Sequence, residues 1–137
     1  MQSLRKYFMG FKACGLVGIG LFSSGVWAGW MPLGVYGEAA AYFDTSSVQT
    51  SGNIRKVWTM LDYRQPKSNS HGLPYRSTRS LVQIQCKTQQ VKTLSLAFFK
   101  GTRGSGDVLS SEGVIQDWQP IPPDSVLAKM AWTVCGS

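Results

Sequence analysis

The chain has 137 residues, with 14 Lys and Arg against seven Asp and Glu and a formal net charge of +7. This length suits one domain that can bury a core of its own. With one histidine in the chain, a metal site built from two or three histidines is excluded. The basic residues are not clustered densely enough for a nucleic-acid footprint.

The first 28 residues have the pattern of an export signal. A positive start is given by Arg5, Lys6 and Lys12, and residues 13–22 are apolar or glycine throughout. We expect cleavage between Ala28 and Gly29, because a small residue before the cut suits signal peptidase. The alternative is an uncleaved membrane anchor, although a span needs about 20 apolar residues. The prediction is therefore a signal peptide at 1–28 and a single exported domain at 29–137 with a net charge of about +4.

The first strands are predicted in residues 30–63. Residues 30–36 are apolar but broken by Pro32 and Gly34, which an edge strand tolerates. A second short strand is expected at 39–43, and the Asp-Thr-Ser-Ser sequence at 44–47 favours a turn. Residues 54–63 alternate with a period of two, and large apolar side chains occur at both the odd and the even positions. This pattern predicts a strand that is at least partly covered on both faces.

Residues 64–76 are polar and contain two prolines and a glycine, which predicts a long irregular loop that is either functional or mobile. Five basic or aromatic residues in or beside it form a predicted interaction loop: Arg64, Lys67, Tyr75, Arg76 and Arg79. Arginine and tyrosine are favoured at protein contacts, so the loop is interpreted as an adhesive or polyanion-binding patch. The alternative is a solvated loop whose charges have no specific role.

A central hairpin follows, in which residues 80–87 and 91–100 alternate with a period of two. Val82, Ile84 and Cys86 share one face of the first strand. In the second strand Leu94, Leu96 and Phe98 are expected to share a face. Only three residues separate the runs, which indicates antiparallel pairing.

Beyond the hairpin, the glycine-rich residues 101–106 are predicted to form a turn. A phosphate-binding loop would have to open a helix, whereas a short strand at 107–110 is expected next. Residues 114–118 are predicted to add an edge segment. Asp124 and Ser125 have the character of a helix cap. The apolar residues at 127, 130, 131 and 134 then recur at helical spacing.

Two cysteines remain after the predicted cleavage, Cys86 and Cys135. In a small exported domain they are expected to pair, the alternative being two free thiols. A disulfide needs Cα atoms within about 7 Å, so the helix must lie across the face that carries Val82 and Ile84. The predicted fold is α+β: an antiparallel sheet of about six strands with one C-terminal helix packed on one face and tethered by the disulfide.

No catalytic, cofactor-binding or metal-binding set is predicted. His71 lies in the polar loop, which is a poor platform for a base that must be held rigidly. Asp44, Asp107 and Asp124 occur where turns and caps favour them. The cysteines do not form a Cys-x-x-Cys motif. The residues therefore favour a non-enzymatic protein over an enzyme.

Several short motifs in order resemble the surface-adhesin protein E family. They are Tyr-Phe-Asp-Thr-Ser-Ser-Val at 42–48, Gly-Asn at 52–53, Val-Trp at 57–58, Leu-Asp-Tyr at 61–63, Pro-Tyr-Arg-Ser at 74–77, Pro-Asp-Ser at 123–125 and Cys135 near the end. The resemblance covers about residues 30–136. It implies a small exported bacterial protein whose C-terminal helix is bridged to an antiparallel sheet by a disulfide.

The resemblance also implies a role in binding. The family's namesake is an outer-membrane adhesin that binds host matrix and plasma proteins and associates with itself, so host proteins and a second copy are the expected partners. Cys14 lies at the start of the apolar stretch rather than at its end, so no lipid anchor is expected. The protein is therefore predicted to be periplasmic or secreted, with display at the cell surface as the alternative. The alternative function is a soluble periplasmic module for a small or envelope-derived ligand, held on the face opposite the helix near Trp58 or Phe99.

Overall fold

The computed structural model describes residues 29–136. The predicted signal peptide and Ser137 lie outside the described residues, so cleavage after Ala28 stays a prediction. The described part contains eight strands, one α-helix and two three-residue 3₁₀ helices, at Thr45–Ser47 and Thr102–Gly104. The strands and the α-helix are labelled in chain order. They are β1 (Trp30–Tyr36), β2 (Ala39–Asp44), β3 (Gln49–Ser51), β4 (Ile54–Ser68), β5 (Pro74–Gln85), β6 (Gln90–Phe99), β7 (Val108–Gly113), β8 (Gln119–Pro120) and α1 (Val126–Cys135).

All strand pairs are antiparallel, and the sheet order is β1-β2-β4-β5-β6-β7. The two shortest strands do not widen the sheet, because each lies in line with a longer strand beside the same neighbour. β3 pairs with the beginning of β4, where β2 no longer reaches, and β8 pairs with the beginning of β6. The sheet is therefore six strands wide, and the predicted fold class is confirmed.

The core lies between α1 and one face of the sheet, which we call the helix-side face. Residues directly paired in an antiparallel ladder point to the same face. Val57 pairs with Val82 and Ile84 pairs with Val91, and all four are buried there. From the helix, Met130 and Ala131 pack against them with 0% and 1% exposure. Each fully buried large apolar side chain contributes about 1.5–3 kcal/mol.

Three local features hold α1 in place. Ser125 accepts a hydrogen bond from the Ala128 N–H (3.1 Å) and so caps the first turn. The disulfide Cys86–Cys135 joins the end of β5 to the last turn, with a Cα–Cα distance of 5.8 Å. Beside it, Arg55 Nε donates to the Val134 carbonyl (3.1 Å). The predicted helix and disulfide are both confirmed.

The opposite face, which we call the open face, is partly covered by the connection between β6 and β7. Ser77 is fully buried beneath this connection. Its hydroxyl donates to the Gly101 carbonyl (2.6 Å) and accepts from the Gly104 N–H (2.8 Å), so it remains hydrogen-bonded there. The Arg103 N–H donates to Asp62 Oδ1 (3.0 Å). Met60, under this connection, is 2% exposed. The prediction that the fourth strand is covered on both faces is therefore confirmed, and the glycine-rich segment is a turn.

The predicted irregular loop at 64–76 is wrong for most of its length. β4 continues to Ser68 and β5 already begins at Pro74, so only residues 69–73 connect them. The pairing skips from Asp62 to Lys67, and Pro66 lies within this irregularity. A bulge tolerates a proline, and so does the first residue of a strand, which is where Pro74 stands.

Two further predictions are corrected near the other edge. Residues 114–118 form no strand, and the pairing resumes only at β8. In β6 the register shifts opposite Leu81 and Val82. One extra residue changes the side to which the following side chains point. Val91 and Thr93 therefore lie on the helix-side face together with Leu96, and the alternation is not uniform from Leu94 onward.

Candidate functional site

The helix covers only part of the helix-side face. α1 has 10 residues and β4 has 15, so the helix is about 15 Å long beside a strand of about 50 Å. The far ends of β4 and β5 therefore project past the helix as a two-stranded arm. Near the end of β1, Gly34 approaches the helix, and a Cβ there would lie 3.7 Å from Val126 Cγ1.

Aromatic side chains cross the sheet at the base of this arm. Tyr36, Ala39 and Tyr63 are neighbours in register on β1, β2 and β4. The Tyr63 and Tyr75 rings meet edge to face with centroids 5.6 Å apart, and Tyr75 meets Phe98 in the same way at 4.8 Å. Tyr36 is 54% exposed. Edge-to-face pairs of this kind are favourable, and they stiffen the surface they form.

Charged groups surround these rings. Lys67 forms an ion pair with Glu38, and its ammonium lies 5.9 Å from the centre of the Tyr63 ring. The hydrogen bond from Lys67 and its positive charge lower the pKa of the exposed Glu38 carboxyl. Arg76 Nε donates to the Tyr63 carbonyl (3.2 Å), and Arg64 is exposed. We call this set the arm surface, defined by Tyr36, Tyr63, Arg64, Lys67, Tyr75 and Arg76.

The packing of this surface also affects the phenol of Tyr63. Burial raises the pKa of its phenol above 10.0, and the neighbouring Tyr75 raises it further. The phenol therefore stays neutral through the physiological range, as a hydrogen-bonding and apolar contact. Beside it lies an open depression of ≈ 740 Å³, lined in part by Val35, Glu38, Arg64 and Arg76.

The structure brings four of the five predicted interaction residues together and separates the fifth. Arg64, Lys67, Tyr75 and Arg76 all belong to the arm, on paired strands rather than on an irregular loop. Arg79 lies on the open face, between the rings of Trp30 and Trp58. Successive side chains of a strand point to opposite faces, so Arg76 and Arg79, which are three positions apart on β5, lie on opposite faces of the sheet.

Sequence reasoning missed two groups of functional candidates. Tyr36 and Phe98 join the aromatic row only through the strand order, since they lie 62 positions apart in the printed sequence. The tryptophans around Arg79 come from two other strands. One signal in the sequence could have grouped Lys56 with Trp58. They are two positions apart in β4, so their side chains share a face of the sheet.

Other parts of the described chain offer little chemistry. A smaller space of ≈ 190 Å³ lies under the helix, lined mostly by apolar residues such as Leu33, Leu61 and Met130. His71 is exposed in the 69–73 connection, with Nδ1 3.4 Å from the Ser70 hydroxyl. Among residues 29–136, no group of three His, Cys, Asp or Glu side chains is placed to hold a metal ion. Nor does this part contain a helix with the length and apolarity to cross a membrane.

The chain is similar to known proteins over nearly the whole described part. The family model described as surface-adhesin protein E matches residues 30–136. No curated protein matches the chain. A structure of Haemophilus influenzae protein E superposes with a TM-score of 0.61 at 15% identity, over 80% of this chain and 85% of that one. Protein E from non-typeable Haemophilus influenzae gives 0.63 at 16% identity, over 80% and 76%. At these identities the structural likeness shows the fold alone.

Proposed function

This chain belongs to the surface-adhesin protein E family, and on that premise we propose that it is an exported, non-enzymatic protein whose arm surface binds other proteins. Its partners in this proposal are host matrix or plasma proteins, with self-association as a homodimer. The observation that carries the proposal is the exposed aromatic and cationic arm surface, which α1 leaves uncovered.

The composition of this surface supports a protein partner. Tyrosine and arginine dominate the residues whose truncation costs most at protein interfaces. Tyr63 and Tyr75 are held by ring contacts, so little side-chain freedom is lost on binding. At the neighbouring outer strand, Val35 is 71% exposed. An exposed edge strand with apolar side chains invites pairing with another chain.

A small-ligand module is supported less well. Ligand pockets usually enclose about 300–1,000 Å³ and are lined mainly by apolar groups. The space under the helix measures ≈ 190 Å³, which is below this range. The larger depression beside the arm has charged groups in its lining, namely Glu38, Arg64 and Arg76. A shallow and charged surface fits a protein partner better than a small molecule.

The test is binding of the purified protein to an array of extracellular-matrix and plasma proteins. The double variant Tyr36→Ala/Arg64→Glu removes an exposed ring and reverses a charge on the arm surface. Its control, Ile115→Ala/Lys87→Glu, removes an exposed apolar side chain and reverses a charge at positions elsewhere. We expect the arm variant to weaken binding at least tenfold and the control less than twofold. An array without any bound protein, or equal losses in both variants, would contradict the proposal.

Localisation is tested separately, because adhesion requires display. Intact cells are treated with protease and then fractionated, and the processed chain is followed. We propose export with removal of residues 1–28. A chain removed from intact cells supports a surface adhesin. A chain that is protected and released only with the periplasm supports an envelope partner instead.

A further inference from the structure

The open face carries a second set of three cations, and two of them lie against tryptophan rings. Arg79 Cζ lies 5.0 Å from the centre of the Trp30 ring and 5.8 Å from that of Trp58. On β6, the Lys92 ammonium lies 4.7 Å from the Trp118 ring. We call this set the tryptophan–cation face, defined by Trp30, Lys56, Trp58, Arg79, Lys92 and Trp118.

Arg79 is held in position but keeps its hydrogen-bonding capacity. Its Nε is buried and has no hydrogen-bond partner within the described residues. Gly104, in the β6–β7 connection, lies close to the Arg79 side chain. A Cβ at this position would lie 3.1 Å from Arg79 Cδ, and the backbone has a φ of +70°, so a glycine suits the position best. A guanidinium presents five N–H donors in a planar fork that matches oxyanions. The tryptophans and the glycine thus preorganise this fork for an anion.

The two lysines extend this charge along the sheet. Lys56 and Lys92 both pair with Gln83, on opposite sides of β5, so all three side chains share the open face with Arg79. Strand spacings place the two lysine Cα atoms about 10 Å apart. Arg79 lies four positions before Gln83 on β5, which is about 13 Å along the strand. The three cations therefore form an extended triangle rather than a point site.

No carboxylate forms an ion pair with these three cations in the described chain. The open face contains two acidic residues on its strands, Asp62 and Asp44. Asp62 accepts from the Arg103 N–H, and Asp44 accepts from the Ser46 N–H and hydroxyl at the sheet edge. None of the three cations has an ion pair within 4.0 Å, in contrast to Lys67 on the arm surface. The face is consequently positive and complementary to an extended polyanion.

We propose that the tryptophan–cation face binds a sulfated polysaccharide. Sulfate groups along the chain would pair with the Arg79 fork and with the two lysines. Single-stranded nucleic acid fits less well, because it binds by stacking bases on open aromatic faces. Here Arg79 and Lys92 already occupy positions over the indole rings. This surface is separate from the arm surface, so the two proposals stand or fall independently.

The test uses the purified full-length protein and a size-defined heparin fragment as the probe. Affinity is measured by isothermal titration between 50 and 200 mM salt, and tryptophan fluorescence is followed in parallel. The face variant is Lys56→Gln/Lys92→Gln. Its matched control is Lys87→Gln/Lys100→Gln, which removes the same charge at exposed positions off the face. We expect the face variant to weaken binding at least tenfold and the control less than twofold.

Arg79→Lys provides an independent check, since it keeps the charge but loses the planar fork. We expect it to weaken heparin binding severalfold with an unchanged melting temperature. Absence of heparin binding, or equal losses in the face and control variants, would overturn the proposal. Equal affinity for an oligothymidylate of the same charge, or for a hyaluronan fragment that carries carboxylates alone, would overturn the assignment to a sulfated glycan.

Discussion

Removing the disulfide is the sharpest test of how the fold is held together. The double variant Cys86→Ser/Cys135→Ser removes the bridge without leaving a free thiol at either position. Met130 and Ala131 remain buried against the sheet, and the Arg55 bond to the Val134 carbonyl does not involve sulfur. We therefore expect α1 to stay docked in the folded state, so that the loss of stability arises in the unfolded chain.

The magnitude follows from the loop that the bridge closes. The two cysteines are separated by 49 positions, and chain entropy gives about 4 kcal/mol for a loop of this size. Measured values for such bridges range over about 2–5 kcal/mol. With a urea m-value of about 2 kcal/mol per M, a loss of 4 kcal/mol lowers the unfolding midpoint by about 2 M.

The assay is equilibrium urea unfolding, monitored by far-UV circular dichroism, for the variant and for the unaltered protein with and without reductant. The unaltered protein in reductant serves as the control for the substitutions themselves, and its midpoint should match that of the variant. An unchanged midpoint in reductant, with both thiols shown to be free by a thiol reagent, would refute the reasoning. A native circular dichroism spectrum that loses helix before unfolding would show that the bridge, and not packing, docks α1.

Two further predictions concern single side chains. Met130 has 0% exposure, so Met130→Ala should lower the free energy of unfolding by about 2–5 kcal/mol. The control Leu73→Ala, at a 43% exposed position, should change the free energy of unfolding little. Equal effects of the two variants would place Met130 outside the core. Because the folded-state pKa of Tyr63 is raised above 10.0, its contribution to stability is present below that pH and declines as pH rises through the folded value. Tyr63→Phe should flatten this alkaline decline, read from melting temperatures between pH 8 and 11, and an unchanged slope would contradict the assigned cause.

Much of the fold was predictable because its signals are local. The period of two in β4, β5 and β6 indicated strands, and the stripe that includes Met130 and Ala131 indicated a helix. With two cysteines in the domain, one pairing was available, and it constrained where the helix must lie. These features depend on neighbours within a few residues or on covalent chemistry, so no knowledge of the tertiary structure was needed.

The errors fall where pairing overrides composition. Residues 64–68 contain a proline and polar side chains, which by themselves favour a loop. They continue β4 because the facing strand supplies hydrogen-bond partners, with Lys67 opposite Tyr75. In β6 a single extra residue reverses the side to which the chain points, and nothing in the local pattern reveals such a register shift.

The candidate sites show the same division. The residue types available for binding can be read from the chain alone: tyrosines and arginines near 63–79, and tryptophans spread along the chain. Their grouping depends on the folded sheet, which places Tyr63 and Tyr75 on the arm and Arg79 beside Trp30 and Trp58. This is because a site joins side chains across strands that are distant in sequence. Strand order and register, which arise from the cooperative pairing of the whole sheet, set those distances.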